Sequence, residues 1–446
     1  MEGSPQLPDG ARPPETLWSR LVRVFREDVR RLVTTGVPHF FVALALTQGI
    51  SMLRRILLVH ILDVDQLGQM TYVMQIADFT AMVADLGIST SVLKYVAEPV
   101  SEDRKRQLYG AGLVWGTLLA ISVATIYLVT VVAAGLGGET AVHAFMLMVV
   151  PYIPLAAIVK TPLVYMQARK EIRRAARFTA ITQAVSLVLL VGGTYLYGLW
   201  GFFALVTAAP LTNLVLLLVA TRRDVSFVRP TVELIRKFTG FGFFSMLANV
   251  TGYANAAVSV VLLRHLTGSD EQVGLYGVGL LVFNGLRLLP TALLQVAFPY
   301  LSGLLNQPRR LRSRLAELSL KQAVVVAAMV GVWYAAGPTL IRLVFGSRYG
   351  EAYWPSMALA GALLPFALSA PWSQGLLVLG RVRVNFFAAL VLLATNAALG
   401  FWLIPLYGPL GAALALLIAR TAEGILAFGM SQLVLAGRVR RPGEAQ

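Results

Sequence analysis

Residues 36–98 read GVPHFFVALALTQGISMLRRILLVHIL, then DVDQLG, then QMTYVMQIADFTAMVADLGISTSVLKYVAE: two apolar runs joined by a short polar bend. The first run carries Arg54 and Arg55, and the second carries Asp78 and Asp85. Seven positions, or two helical turns, separate the two carboxylates, so both lie on one face of a helix. An ionisable group in a membrane helix is costly unless it faces protein or water. These charges therefore indicate an interior surface and a candidate transport path.

The composition is that of a membrane protein. Of 446 residues, 57% are hydrophobic and 13% charged, with a mean hydropathy of +0.70. Soluble proteins carry about 25% charged residues, so no sizeable soluble domain is expected. The net charge of +16 comes from loops between apolar runs, which argues against a nucleic-acid partner. The chain has no cysteine and shows no metal-ligand spacing among its histidines and carboxylates, so neither disulfides nor a metal site is expected.

Apolar runs of about 20 residues, each long enough to cross the hydrocarbon core, follow one another from Gly36 onward. The predicted spans lie at residues 36–60, 67–98, 108–134, 141–165, 175–197, 199–221, 240–264, 273–304, 319–344, 353–378, 383–404 and 409–434. The second and eighth are overlong, and we expect their inner ends to project into the cytoplasm. Basic loops alternate with short loops nearly free of Lys and Arg, which only Arg348 interrupts. This alternation predicts that both termini are cytoplasmic.

The two halves of the chain repeat each other. Asp65-Gln66-Leu67-Gly68 recurs as Glu271-Gln272-Val273-Gly274, and Leu196–Gly201 recurs as Leu406–Gly411. Because six spans separate the copies, both have the same orientation, and transporters built this way bind substrate between the halves. We therefore predict an all-α integral membrane protein with about twelve transmembrane helices in two six-helix parallel repeats around a central cavity.

The predicted domain boundaries follow from this repeat. They are a disordered tail with a cytoplasmic amphipathic helix (1–35), an N-terminal six-helix lobe (36–221), a cytoplasmic linker (222–239), a C-terminal six-helix lobe (240–434) and a cytoplasmic tail (435–446).

Several short motifs resemble a known family. The bend at residues 62–68, Tyr72, the ADLGIS sequence at 84–89 and the KYVA sequence at 94–97 are similar to the start of the polysaccharide flippases. Those are the O-antigen and exopolysaccharide unit transporters of the multidrug/oligosaccharidyl-lipid/polysaccharide (MOP) exporter superfamily. The Tyr-Gly-x-x-Gly elements that begin spans 6 and 12 are also similar to that family.

This resemblance implies two six-helix lobes around a cavity lined largely by helices 1, 2, 7 and 8. It also implies an undecaprenyl-diphosphate-linked oligosaccharide as substrate, flipped from the cytoplasmic to the periplasmic leaflet of the bacterial inner membrane by alternating access. The glycan, the lipid bilayer and polysaccharide polymerase machinery are then the candidate partners. No cofactor is expected, and a proton or sodium gradient is the candidate energy source.

Depth along the helices, at about 1.5 Å per residue, selects the candidate site residues. A diphosphate carries at least two negative charges and needs fixed cations, and arginine binds phosphate in a bidentate manner. The candidate substrate-binding residues are Arg287, Arg54, Arg55, Arg420, Asn284 and Arg264. The candidates for gating or ion coupling are Asp78, Asp85 and Glu423. No residue is expected to be catalytic.

Plainer interpretations compete with several of these roles. Arg420 and Glu423 are three residues apart and could neutralise each other. One of the two adjacent arginines of span 1 could pair with Asp78, and which of the two faces the cavity stays open. Arg264 and Lys160 lie near span ends, where long basic side chains snorkel to the headgroups.

Two other functions are alternatives to the predicted flippase function. A cation-coupled drug antiporter of the same superfamily would favour an acidic or aromatic cavity. A polytopic polysaccharide-assembly enzyme would usually need a large periplasmic loop, and every predicted outer loop is short.

Overall fold

In a computed structural model of the chain, the described residues are 38–138, 140–222, 224–226, 231–305 and 307–440. Nearly all of these residues are helical, and they contain no strand. Helices suit a chain this apolar, because in lipid every backbone N–H and C=O must be satisfied within its own segment. The predicted amphipathic helix at 15–33 lies outside the described residues.

The first half supplies six spans. Span 1 is Pro38–Ile61, span 2 is Val64–Asp85 with Ile88–Ala97, span 3 is Glu102–Ala134, span 4 is Thr140–Met148 with Tyr152–Ile158 and Lys160–Ala168, and spans 5 and 6 are the two parts of Ile172–Val206 continued by Ala208–Thr221. The backbone at Tyr197 and Gly198 is not helical, and this break separates span 5 from span 6.

The second half repeats this arrangement. Span 7 is Val232–Thr267, span 8 is Asp270–Ser302, span 9 is Pro308–Phe345, span 10 is Tyr353–Gly361 with Leu363–Val378, and spans 11 and 12 are the parts of Val382–Arg440 before and after Gly408. A short 3-10 helix, Ser347–Ala352, forms the outer loop between spans 9 and 10.

These helices account for the twelve predicted spans. By length and composition, seven of the described helices could cross a membrane, and an eighth could if the bent pair of span 2 counts as one. Two of the seven contain the glycine breaks and so hold two spans each, which together with span 2 makes ten. The other two are the described helices Pro38–Ile61 (span 1) and Val232–Thr267 (span 7), which are outside this set of seven and are long enough to cross. Gly198 (φ 58°) and Gly408 (φ 55°) break their helices at equivalent places, inside the two copies of the Leu-Tyr-Gly repeat. The parallel repeat read from the sequence is therefore visible in the backbone.

Span 2 is not the single overlong helix that was predicted. It bends by 43° between Asp85 and Ile88. Leu86 (φ 45°) and Gly87 (φ 70°) are both left-handed, which ends one helix and begins another. A methyl group on Gly87 would overlap the backbone of Gly242 in span 7, so glycine is needed here both for its φ and for the close approach.

Span 7 begins earlier than expected. Its helix starts at Val232, within the predicted linker, and Thr231 caps it by accepting a hydrogen bond from the Leu234 backbone at 3.4 Å. The inner end of span 7 therefore runs alongside the inner half of span 2, where Ser91 Oγ donates to the Phe238 carbonyl at 2.9 Å.

The two lobes also touch at their outer ends. A methyl group on Gly68 would overlap the backbone oxygen of Asp270, and one on Gly274 would overlap that of Val64. The bend between spans 1 and 2 therefore packs directly on the bend between spans 7 and 8. These two bends are the ones that the sequence repeat places at equivalent positions.

A contact that we name the outer clasp, formed by Arg348 and Tyr349, joins the loop after span 9 to the end of span 1. Arg348 donates to Asp63 Oδ1 at 3.0 Å and to the His60 carbonyl at 2.8 Å. The buried Tyr349 hydroxyl lies 3.2 Å and 3.0 Å from the Val59 and Leu62 carbonyls. Burial raises the pKa of Tyr349 to about 12, so its hydroxyl remains a donor at neutral pH. Arg348 and Tyr349 of the C-terminal lobe thus donate hydrogen bonds to backbone carbonyls that the end of span 1 leaves unpaired.

Candidate functional site

A cavity of about 430 Å³ lies between spans 1, 2, 4, 5, 6 and 8. Its polar and charged lining side chains are Arg54, Arg55, Thr71, Gln75, Asp78, Tyr152, Lys160, Thr182, Gln183, Ser186, Asn213 and Asn284. Most of the lining therefore comes from the N-terminal half, and span 8 closes one side. The resemblance implied a cavity lined by helices 1, 2, 7 and 8, but span 7 contributes no residue to this one.

The charges that line the cavity are mainly basic. Arg54, Arg55 and Lys160 face a single carboxylate, Asp78. Arg54 is half-buried, and its guanidinium donates to Ser186 Oγ of span 5. A hydroxyl partner fixes the direction of that guanidinium without neutralising it, so its charge stays available to an anion.

Asp78 has a phenol as its partner. Its Oδ1 accepts a hydrogen bond from the Tyr152 hydroxyl at 2.6 Å, and it forms no ion pair among the described residues. The predicted direct pair between Asp78 and an arginine of span 1 is therefore absent from this structure. Tyr152 directly follows Pro151 in span 4, and its hydroxyl reaches across to span 2.

Asn284 is the candidate residue that the second half contributes to the cavity. It occupies the place in span 8 that Asp78 occupies in span 2, and both side chains line the cavity. The repeat therefore brings one polar group from each half to the same space.

Arg287 lies one turn farther along span 8 and does not line this cavity. It is half-buried, and its Cζ is 5.6 Å from the centroid of the Phe283 ring. Its guanidinium has no hydrogen-bond or ion-pair partner within the described parts of the chain. The nearby guanidinium of Arg420 acts on it electrostatically. Two cations are therefore near each other in the C-terminal half, and no carboxylate among the described residues pairs with Arg287.

Arg420 and Glu423 form an ion pair with each other, as the plainer interpretation of these two residues predicted. Arg420 Nη1 lies 2.8 Å from Glu423 Oε2, and both side chains are largely buried. The Arg420 Cζ also lies 6.0 Å from the Phe366 ring centroid. Neither residue lines the cavity.

Arg264 is engaged at the outer end of span 7. Its Nε donates to Asp270 Oδ1 at 2.6 Å and its Nη2 to Oδ2 at 3.4 Å. The guanidinium also lies 4.4 Å above the buried ring of Tyr72. Arg264 therefore ties span 7 to the bend before span 8 and to span 2, and it lies outside the cavity lining.

Asp85 is buried at the break in span 2. Its Oδ1 accepts from the Ser89 backbone at 3.2 Å and its Oδ2 from Ser89 Oγ at 2.6 Å. Lys160 Nζ lies 3.9 Å from the same Oδ2. Lys160 was interpreted as a snorkelling side chain, yet it lines the cavity. Lys160 precedes Arg169, in the basic loop that follows, by nine residues. This distance could have indicated that Lys160 lies within the span.

No group of three or more His, Asp or Glu side chains within the described ranges could hold a metal ion. What the cavity offers is two guanidinium groups, an ammonium group, several amides and hydroxyls, and one hydrogen-bonded carboxylate. Such a set can bind an anionic group and the hydroxyls of a polar ligand.

Comparisons with known proteins point in the same direction. The sequence profile of a family described as polysaccharide biosynthesis protein matches residues 33–305. The probable flippase AglR of Haloferax volcanii is 28% identical over 212 residues, which are 46% of this chain and 44% of that protein. The match thus spans less than half the length of this relative.

Solved structures share the fold. An inward-facing multidrug resistance MATE family transporter of the MOP superfamily superposes with a TM-score of 0.73 at 11% identity, covering 89% of this chain and 95% of its own. The lipid II flippase MurJ in an inward closed conformation gives 0.67 at 15% identity, covering 91% and 93%. At these identities the likeness establishes the fold alone. It agrees with the twelve helices and with a multi-pass membrane protein.

Proposed function

The chain belongs to the family of polysaccharide biosynthesis proteins, and from this premise we propose that it is a flippase for a lipid-linked oligosaccharide. The substrate is an undecaprenyl-diphosphate-linked glycan, which moves from the cytoplasmic to the periplasmic leaflet. The probable flippase function of the Haloferax volcanii relative and the fold shared with MurJ support this class of transport.

The observation that carries the proposal is the charge of the cavity. Three basic side chains line it against one carboxylate, and that carboxylate is already hydrogen-bonded to Tyr152. A diphosphate inside a membrane needs fixed cations, because its charge is otherwise taken out of water without compensation. Arg54 and Arg55 supply forked donors that match phosphate oxygens. The amides of Gln183 and Asn284 suit the hydroxyls of a sugar.

Alternating access explains how one cavity can serve both leaflets. The outer ends of the lobes are in contact through the two bends and the outer clasp, with the cavity below them. Rocking the two like-oriented lobes would part these contacts and expose the cavity to the periplasm. The protein would lie in the bacterial inner membrane with both termini in the cytoplasm, coupled to a proton or sodium gradient. Polysaccharide polymerase machinery would take the product.

A drug antiporter on the same fold is the alternative to be tested. The TM-score with a MATE family transporter favours it only at the level of fold, because the identity is 11%. A cavity for cationic drugs would need more acidic than basic side chains, and the lining here has the opposite balance.

The decisive experiment is flipping by purified protein in proteoliposomes. The substrate is an undecaprenyl-diphosphate oligosaccharide, and its appearance in the opposite leaflet is followed with a membrane-impermeant lectin. Arg54→Gln with Arg55→Gln should slow flipping at least about tenfold, since each charge-assisted hydrogen bond contributes roughly 1.5–3 kcal/mol. Arg309→Gln with Arg310→Gln, an exposed adjacent pair outside the cavity, is the matched control. Exchange of a cationic dye against protons without glycan flipping would replace the proposal with the antiporter.

A further inference from the structure

Lys160 is a cavity cation with unfilled hydrogen-bonding capacity that also lies next to a buried carboxylate. Its side chain is 35% exposed, and its ammonium group lies 3.9 Å from Asp85 Oδ2. The other acceptor within reach is the thioether of Met82, at 3.6 Å. An ammonium group carries three donors, and sulfur is a weak acceptor. Lys160 therefore has donors to offer to a ligand oxygen.

Asp85, in contrast, does not depend on Lys160. Ser89 supplies a backbone N–H and a hydroxyl to its two oxygens, at 3.2 Å and 2.6 Å. The Ser89 pair holds the carboxylate at the start of the inner helix Ile88–Ala97. Asp85 would thus stay hydrogen-bonded if the ammonium group turned away toward the cavity, and only the electrostatic contact would be lost.

The contact between the two residues lies at the break of span 2. Asp85 precedes the Leu86–Gly87 break, and Lys160 faces it from span 4, whose backbone at Val159 is helical. Beyond this point the inner helices Ile88–Ala97 and Lys160–Ala168 pack together, and we call this pair the inner segment. The contact between Lys160 and Asp85 is therefore at the junction between the cavity and the inner segment.

This inner segment also touches the other lobe. The backbone of Gly87 lies against that of Gly242 in span 7, and Ser91 donates to the Phe238 carbonyl. Any change in the bend of span 2 must shift these contacts, because two backbones in direct contact leave no free space. The junction thus connects the cavity to the inner boundary between the lobes.

We propose that Lys160 is a substrate-binding residue that exchanges partners: it holds Asp85 when the cavity is empty and turns to a phosphate oxygen when it is filled. This exchange releases Asp85 and so transmits occupancy to the span 2 break and to Gly242. The proposal rests on the proposed function for the identity of the ligand, whose chemistry here is a phosphate or diphosphate. A flexible lysine suits an exchange of partners, whereas Arg54 is fixed by Ser186.

Binding of inorganic pyrophosphate to the purified full-length protein tests the exchange without any lipid substrate. Isothermal titration should show that Lys160→Met weakens binding at least about tenfold and that Lys160→Arg restores most of it. Asp85→Asn should tighten binding about threefold to tenfold, because the competing carboxylate charge is gone. A merely structural lysine would give no gain in affinity from Asp85→Asn.

A double-mutant cycle separates this exchange from general electrostatics. The gain from Asp85→Asn should vanish in the Lys160→Met background, where there is no ammonium group to release. Asp224→Asn is the control, since it removes a carboxylate that pairs with Arg169 outside the cavity, and it should leave the affinity unchanged in both backgrounds. Equal effects of Asp85→Asn with and without Lys160 would overturn the proposal.

The transmission step has its own readout. The chain has no cysteine, so spin labels can be placed at Ala97→Cys and Val232→Cys, both exposed at the inner ends of spans 2 and 7. Pyrophosphate should shift the distance between the labels in the wild type and in Lys160→Arg but not in Lys160→Met at saturating ligand. An unchanged distance in the wild type, or the same shift in Lys160→Met, would contradict the coupling.

The two proposals fail separately. If lipid-linked glycan is flipped but Lys160→Met binds pyrophosphate and flips glycan like the wild type, the proposed function stands and the role of Lys160 falls. If no glycan is flipped but pyrophosphate binding depends on Lys160 as described, the flippase assignment falls and the anion site stands.

Discussion

At the scale of single residues, Arg287 combines depth in span 8 with a guanidinium that has no partner in the described parts of the chain. Burying an unpaired charge is costly, so a side chain kept in this state usually serves a ligand. Arg420, its neighbour, is neutralised by Glu423, which leaves Arg287 as the cation available to a substrate in the C-terminal half.

Arg287→Ala should therefore abolish glycan export while the amount of protein in the membrane stays normal. Arg287→Lys should retain partial export, because it keeps the charge but loses the fork. Export of the glycan in cells and immunoblotting of membranes measure the two quantities. Arg309→Ala, at an exposed position near the start of span 9, is the control. Normal export by the alanine variant would remove Arg287 from the transport path.

A second residue-scale prediction concerns Tyr152 and Asp78. Removing the hydroxyl by Tyr152→Phe should destabilise the protein by roughly 1–3 kcal/mol, because the carboxylate loses its donor at 2.6 Å. Tyr152→Phe combined with Asp78→Asn should recover part of that loss. Thermal unfolding in detergent measures both. If Asp78→Asn is instead rescued by Arg55→Gln and not by Tyr152→Phe, the arginine pairing predicted from the sequence would be the correct one.

From the sequence, a residue could be assigned to the candidate site only where its charge and its position along the helix are sufficient to place it there. Arg54 and Asn284 line the cavity as expected, because helical spacing places them on interior faces. Lys160 was interpreted as snorkelling because it lies near the inner end of span 4, and the sequence does not show that the cavity reaches that far along the span. Arg264 lies in the last turn of span 7, but its partner Asp270 follows a turn whose geometry the sequence does not reveal.

At the scale of elements, the break in span 2 is the feature with the clearest consequence for stability. Gly87→Ala should destabilise the protein by more than the roughly 1–2 kcal/mol that a left-handed residue costs, since its methyl group would also overlap the Gly242 backbone. Gly192→Ala in span 5, where a methyl group meets no atom, is the matched control and should be neutral or slightly stabilising.

Thermal unfolding of both glycine variants in detergent is the measurement. A Gly87→Ala protein as stable as the Gly192→Ala protein would mean that the two backbones are not in contact there. Apolar length predicted where span 2 runs but not that it bends, because Leu86 is left-handed without being a glycine. Tertiary contact with span 7 overrides the local preference of that residue.

At the scale of the whole molecule, the two lobes meet at the outer bends and should rock as units about the cavity. Asp65→Cys with Glu271→Cys places one thiol on each bend, and the native chain supplies no other. Oxidation should form a disulfide readily, because Gly68 and Gly274 bring the two bends into direct contact. The cross-link should block glycan export and reduction should restore it. Rapid cross-linking with undiminished export would contradict the rocking model, because the outer gap would then not need to open.

The plan of two parallel six-helix lobes followed from the repeats and the loop charges, since hydropathy and loop charge are set by the bilayer itself. How the lobes touch did not follow. Arg348 is the single Lys or Arg in the loops that the charge pattern predicts to be outer, and this exception is the residue that forms the outer clasp. The charge pattern indicates that Arg348 is unusual for its loop. Its partner Asp63 lies 285 residues away in the sequence, and only the folded chain shows that the two are in contact.

The outer clasp also has a consequence for the order in which a ribosome makes the chain. Span 1 is inserted early, and Arg348 is translated 288 residues after the His60 carbonyl that it completes. Until then the end of span 1 must rely on water for the hydrogen bonds that Tyr349 and Arg348 later provide. The first lobe is therefore not finished when its own last residue has been translated. It matures only when the second lobe is more than half synthesised, so the two lobes cannot be completed one after the other.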